Sequence, residues 1–135
     1  MRHSLIAWAG ALAMSVAIVA PANAGKTVAT GAGDVEIPKQ AKKCMACHNF
    51  DKGAGTKVGP ELYGLFNAPS TIQGGGWSWT AENLHLWLNK EKGGPKEAIK
   101  VLTGNAGATT KMGFNGFKDD AEINEVVDFL SKLHD

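Results

Sequence analysis

The chemistry in this sequence concentrates in five consecutive residues, Cys44-Met45-Ala46-Cys47-His48. Two thiols three residues apart on a helical turn can each add to one vinyl group of a single porphyrin. The result is two thioether links, with the adjacent imidazole held beneath the iron as an axial ligand. A C-x-x-C-H run reads as a haem c attachment site for that reason. Other uses of the pair fit less well. A thioredoxin-like pair wants a βαβ setting and a reactive thiolate, and strand patterns are absent here. A zinc site needs a fourth ligand, and the sequence holds only these 2 cysteines. A plain disulfide would close a very small loop, constrain little and make His48 a coincidence.

An iron held on one side by His48 leaves the opposite side to fill. Met45 lies inside the motif and cannot reach that face, so Met112 is the one eligible methionine downstream of the N-terminal leader. Of the other histidines, His134 sits at a fraying end and His85 lies between Leu84 and Leu86 in a helical stretch, where an exposed side chain is expected. Met112 belongs to the flexible run Thr109-Thr110-Lys111-Met112-Gly113-Phe114, free to fold over a porphyrin face. Core packing is the ordinary use of a lone methionine; a sole eligible one in such a loop is better explained as the iron ligand.

The elements that would position these groups start after the leader. Arg2 and His3 precede an apolar run from Leu5 to Ala20, followed by Pro21 and the small-residue triplet Ala22-Asn23-Ala24. This is the shape of a secretory signal over residues 1–24, cleaved after Ala24, since the run is shorter than the roughly 18 to 20 residues of a spanning helix. Residues 25–135 then form one monohaem domain, expected to be soluble, monomeric and periplasmic. A mature chain this short, with abundant glycine, has a thin core that a buried porphyrin would help to fill. Charge is balanced in total and uneven along the chain. Lys39 to Lys118 holds 11 lysines and 5 acids, whereas Asp119 onward holds 6 acids and 1 lysine. Arg2 is the only arginine, which argues against a nucleic-acid partner.

Residues 25–37 read as a loose arm. Pro38 suits the first turn of a helix running through Cys47. Glycines and prolines punctuate residues 51–78, with at most a helical turn at Glu61–Phe66. Thr80 is a good N-cap for a helix whose Leu84, Trp87 and Leu88 share a face, ending at Gly93-Gly94. A short helix spans Lys96 to Leu102. In the last helix Asp119 caps while Glu122 reaches back, and Ile123, Val126, Val127 and Leu130 repeat at helical spacing. The fold class is all-α, with three to five helices around one haem.

From Gly33 onward these residues resemble the class I cytochromes c, the family of mitochondrial cytochrome c and bacterial cytochrome c2. Lys57-Val58-Gly59-Pro60-Glu61-Leu62-Tyr63-Gly64-Leu65-Phe66 is similar to the family's Gly-Pro-x-Leu-x-Gly-Leu-Phe segment. The resemblance implies that the Pro60 carbonyl accepts a hydrogen bond from His48, that Trp79 bonds a haem propionate, and that Trp87 lies near the ligand sulfur. Thr110-Lys111-Met112-Gly113-Phe114 resembles Thr-Lys-Met-x-Phe, supporting Met112 and placing Thr110 beside the haem. Val126, Phe129 and Leu130 fall at the packing positions of the last helix. The sequence departs from the family at three places. Glu36 and Gln40 stand where the first helix usually carries a glycine and an aromatic, so Phe129 is expected to pack differently. The Phe66–Trp79 loop is shorter than in mitochondrial proteins and lacks their basic residue beneath the propionates. The Asn89–Thr109 segment is longer.

Two strong axial ligands leave no open position on iron, which favours one-electron transfer over catalysis. Partners of such a carrier would be a quinol-oxidising complex, an oxidase, a reaction centre or a dehydrogenase, with Lys42, Lys43, Lys57, Lys90, Lys92 and Lys111 steering acidic surfaces to the haem edge. The alternative is a haem subunit of an oxidoreductase, or a peroxidase-like or gas-binding haem protein whose iron opens easily.

Overall fold

A computed structural model of the chain describes residues 25–72 and 75–135. The expected leader, residues 1–24, lies outside the described residues. Two short strands, β1 (Thr27–Thr30) and β2 (Gly33–Glu36), precede a 3₁₀ turn at Ala41–Ala46. Three α-helices follow the central loops: α1 (Ala81–Leu88), α2 (Gly94–Thr103) and α3 (Asp120–Ser131). A second 3₁₀ turn, Lys90–Lys92, joins α1 to α2.

The hairpin replaces the expected loose arm. Val28 pairs with Val35 in an antiparallel register, and Val28 is 1% exposed. Gly33, at φ +118°, opens the returning strand in a conformation that side-chain-bearing residues rarely adopt. The turn is anchored from outside. Gly31 N–H donates to the His134 carbonyl, and a Cβ on Gly31 would lie 2.3 Å from the Asp135 carbonyl carbon. Two four-residue strands are too short to announce themselves by alternation; docking on the end of the chain supplies what the local pattern lacks.

The helix expected from Pro38 through Cys47 is also shorter and tighter. Its first i−4 bond, Lys42 N to Pro38 O, is long at 3.2 Å, and the chain then winds as 3₁₀ until His48 N closes a bond of 2.9 Å on Cys44 O. Gln40 N is held by the Glu125 carboxylate at 3.2 Å, tying this turn to α3. No helical turn forms at Glu61–Phe66, because Gly64 sits at φ +74° and donates to the Leu133 carbonyl.

Helix α1 starts as its sequence implies, with Thr80 Oγ1 accepting from Asn83 N at 3.2 Å. It ends at Leu88 rather than at the glycine pair, because the Asn89 side chain accepts from Lys92 N and starts the 3₁₀ turn. Helix α2 is stopped by Gly104 at φ +66°, a left-handed cap. Helix α3 buries Ile123, Val126, Phe129 and Leu130; removing a side chain of this kind from water is worth roughly 1.5–3 kcal/mol. The expected Asp119 side-chain cap does not form, and burial of the apolar face carries the helix instead. Phe129 meets Phe50 edge-on at 5.0 Å, so a residue just after the C-x-x-C-H run takes the place of the first-helix aromatic.

One crossing matters for the site. Phe117 N donates to Leu88 O at 2.7 Å and Lys90 N to Phe117 O at 2.9 Å, a parallel bridge that returns the Met112 loop to the end of α1. Gly116 makes the approach possible. It sits at φ +95°, and a Cβ there would lie 2.5 Å from Leu88 O.

Candidate functional site

The site falls into two groups of side chains. In the first, the 3₁₀ turn presents Cys44, half-buried, and Cys47, exposed, one residue ahead of His48. Burial pushes the Cys44 thiol up to about 11, outweighing its backbone hydrogen bond, which lowers it; Cys47 raises it further and Lys43 lowers it, both by less. A thiol held protonated at neutral pH is the opposite of a thioredoxin-type nucleophile. Among the described residues no group of three or more His, Cys, Asp and Glu side chains gathers as a metal site.

His48 Nδ1 lies 2.6 Å from the Pro60 carbonyl oxygen. A carbonyl can only accept, so Nδ1 carries the proton and Nε2 keeps its lone pair, the state in which an imidazole ligates a metal. The loop carrying Pro60 is braced along its length. Gly59 N donates to Cys47 O at 2.7 Å, Leu62 N to Asn49 O at 2.9 Å, and the Glu61 carboxylate accepts from Gly53 N and Gly55 N at 2.9 and 2.7 Å. Lys57 Nζ donates to Met45 O at 2.7 Å, so this lysine is engaged in bracing the motif. The motif alone gives Gly59 no separate role. Its function is steric: a Cβ there would come within 2.4 Å of His48 Cε1.

The second group surrounds Met112. Trp87, 4% exposed, donates its Nε1–H to the Met112 sulfur at 3.2 Å, and Thr110 Oγ1 accepts from Met112 N at 3.2 Å. One sulfur lone pair is thereby engaged and the other is left. Trp79 packs edge-on against Trp87 at 5.0 Å, and Trp77 against Trp79 at 4.4 Å. The structure therefore joins His48 to Pro60, and Met112 to Trp87 and Thr110, with Trp79 in the same aromatic cluster. His134 is exposed, whereas His85 is half-buried with its ring 3.8 Å from Asp120 rather than fully exposed. Trp77, not singled out from sequence, has a buried Nε1–H with no acceptor among the described residues, a condition that costs about 1–3 kcal/mol if left unrelieved. Its signal was present in the spacing Trp77-Ser78-Trp79, which puts both indoles on one face of an extended segment.

Haem suits these residues. The two thiols would attach it, and an imidazole with Nε2 free and a thioether with a lone pair to spare could serve as ligands. Cys44, Leu65, Phe66, Trp77, Met112 and Phe114 are apolar side chains packed on the core yet only partly covered, as the lining of a flat apolar group should be.

Comparison with known proteins agrees. Residues 22–134 match the cytochrome c family. The chain is 34% identical over 108 residues to cytochrome c2 of Rhodospirillum rubrum, covering 70% of this chain and 92% of that protein. Cytochrome c2 of Pararhodospirillum photometricum is 33% identical over 114 residues, 76% of this chain and 97% of that one. Among solved structures, cytochrome c2 from Rhodospirillum centenum superposes with a TM-score of 0.59 at 28% identity, over 71% of this chain and 93% of that one. The chain belongs to the cytochrome c family, as a class I c-type cytochrome. Its cofactor is covalent haem c, and Cys44 and Cys47 are the two cysteines spaced to bind it. The helical fold expected from sequence holds, with the addition of the β1–β2 hairpin.

The tight fit of Gly59 against the imidazole gives a direct test. Gly59→Ala must displace either the loop or the ring. It should lower the stability of the haem-bound protein by about 1–3 kcal/mol, the usual cost of overpacking. Denaturant unfolding of both proteins measures this; an unchanged midpoint would mean that the contact can relax freely.

Proposed function

We propose that this chain is an exported one-electron carrier of the periplasm, released from a leader cleaved after Ala24, whose haem iron is ligated by His48 and Met112. The observation that carries the proposal is the 2.6 Å bond from His48 Nδ1–H to Pro60 O, which prepares Nε2 as a ligand. Bound haem supplies a ferric/ferrous couple that accepts and gives one electron.

The chain's own residues do the rest. Pro60 orients the imidazole and fixes its tautomer. Trp87 and Thr110 hold Met112 by its sulfur and its backbone, so the thioether does not have to be ordered anew at each change of oxidation state. A neutral thioether favours ferrous iron relative to an anionic ligand and so raises the reduction potential. Trp79 serves a propionate. Among the described residues no helix is long and apolar enough to cross a membrane, consistent with a monomer that shuttles between a donor and an acceptor. Those are a quinol-oxidising complex, an oxidase, a reaction centre or a dehydrogenase.

Lys42, Lys43, Lys57, Lys90, Lys92 and Lys111 are all exposed. Lys43 Nζ lies 5.2 Å from the Phe117 ring centre, and Lys57 braces Met45. With the acids gathered on α3, this distribution favours steering of acidic partners to the lysine-bearing side.

Carbon monoxide distinguishes a carrier from a peroxidase-like, gas-binding or catalytic haem protein. The reduced native protein should resist it, and Met112→Ala should bind it at once; rapid binding by the native protein would contradict Met112 ligation. Electron exchange with an acidic redox partner should slow by at least about tenfold between low salt and half-molar salt. A rate indifferent to salt would remove the steering function from these lysines.

A further inference from the structure

The aromatic wall on the methionine side contains one tryptophan that the proposed function does not use. Trp77 is fixed by its backbone. Ser70 N donates to Trp77 O at 2.8 Å, Asn67 N to Trp79 O and Trp79 N to Ala68 O each at 2.9 Å, and Pro69 bridges Ser78 antiparallel. On such an extended ribbon, residues two apart project from the same face. The indoles of Trp77 and Trp79 accordingly meet at 4.4 Å, and Trp77 also lies 6.0 Å from Trp87, whose N–H holds the Met112 sulfur. Trp77 thus belongs to the wall that carries the proposed thioether ligand.

Its Nε1–H is buried without an acceptor. An indole nitrogen can only donate, and buried donors are nearly always paired. Among the described residues no acceptor reaches it, so a group that joins the protein can supply the partner. Residues 67–79, which carry both strands of this ribbon, contain no Lys or Arg of their own. Of the groups that haem c brings into a protein, the propionates are the strong acceptors.

We infer that Trp77 donates its indole N–H to a propionate carboxylate of the bound haem, standing beside Trp79 where the loop offers no cation. The inference rests on the haem reading above and extends it to a binding residue outside the motifs that the chain shares with its family. The bond anchors the ring at its polar edge and draws part of the carboxylate's negative field away from the iron.

Two measurements on the matured, haem-bound protein test it. In the native ferrous protein labelled with ¹⁵N-tryptophan, the Trp77 indole proton should resonate downfield of a solvent-exposed indole and exchange at least roughly tenfold more slowly. An indole proton with the shift and exchange rate of exposed tryptophan overturns the inference. Trp77→Phe keeps a ring in the wall and removes the donor. With the carboxylate less compensated, ferric iron is favoured and the reduction potential falls, while the spectral signatures of His48 and Met112 on iron stay as they were. An unchanged potential with those signatures intact also overturns it, and points to a buried water as the partner. If Trp77→Phe does not mature, the indole resonance of the native protein decides alone. Loss of the methionine signature in the native protein is a separate result, which would sink the reading beneath this one and not the Trp77 bond.

Discussion

A single hydrogen bond organises this molecule: the one from His48 Nδ1 to the carbonyl of Pro60. It decides which imidazole nitrogen carries the proton, and so which one is available to iron. Much of the chain between Asn49 and Leu62 is arranged to make that bond. Backbone donors of Gly53 and Gly55 converge on Glu61, Gly59 turns in against Cys47, and the absence of a side chain at Gly59 lets the backbone lie against the ring. A loop rich in glycine would ordinarily be mobile; here its donors are used up in holding one carbonyl in place.

The methionine side is held by different means. Met112 sits in a segment without regular structure, yet that segment is pinned at its far end by the crossing of Phe117 over Leu88 and Lys90, and at its near end by Thr110. Trp87 is presented by α1, whose buried face also carries Leu84 and Leu88. The sulfur is therefore referred to the helical core through one indole. Both proposed ligands thus follow one pattern, in which a hydrogen bond with a residue distant in sequence orients the side chain: His48 donates to Pro60, and Met112 accepts from Trp87. On the proposed ligation, such an arrangement would let the side chains around the iron stay in place as it changes oxidation state, as electron transfer favours.

Much of this was legible in the residues. C-x-x-C-H dictates its cofactor through the spacing of two thiols and an imidazole. The Thr80 cap and the apolar repeat of α3 are local signals strong enough to survive any context. What escaped was decided by contacts distant in sequence. The β1–β2 hairpin depends on Gly31 docking against His134 and Asp135, and in place of the expected helical turn at Glu61–Phe66 a tight turn closes from Leu65 N to Leu62 O, with Gly64 left-handed and bonded to Leu133. The Asp119 cap was plausible chemistry that the helix did not need. Phe129 was expected to find a new neighbour, but only the fold identifies it as Phe50. For Trp77 the sequence shows only its spacing from Trp79; that its nitrogen is buried and, among the described residues, unpaired is visible only in the fold.

Everything rests on a porphyrin joined to the chain at Cys44 and Cys47, directly before the imidazole that Pro60 holds. Intact-mass analysis of protein matured in cells competent for haem insertion, followed by mapping of its proteolytic fragments, tests this most directly. The account predicts one haem per chain, with the added mass confined to the fragment containing Cys44, Cys47 and His48. An unmodified polypeptide, or haem that separates from the chain on denaturation, would contradict it.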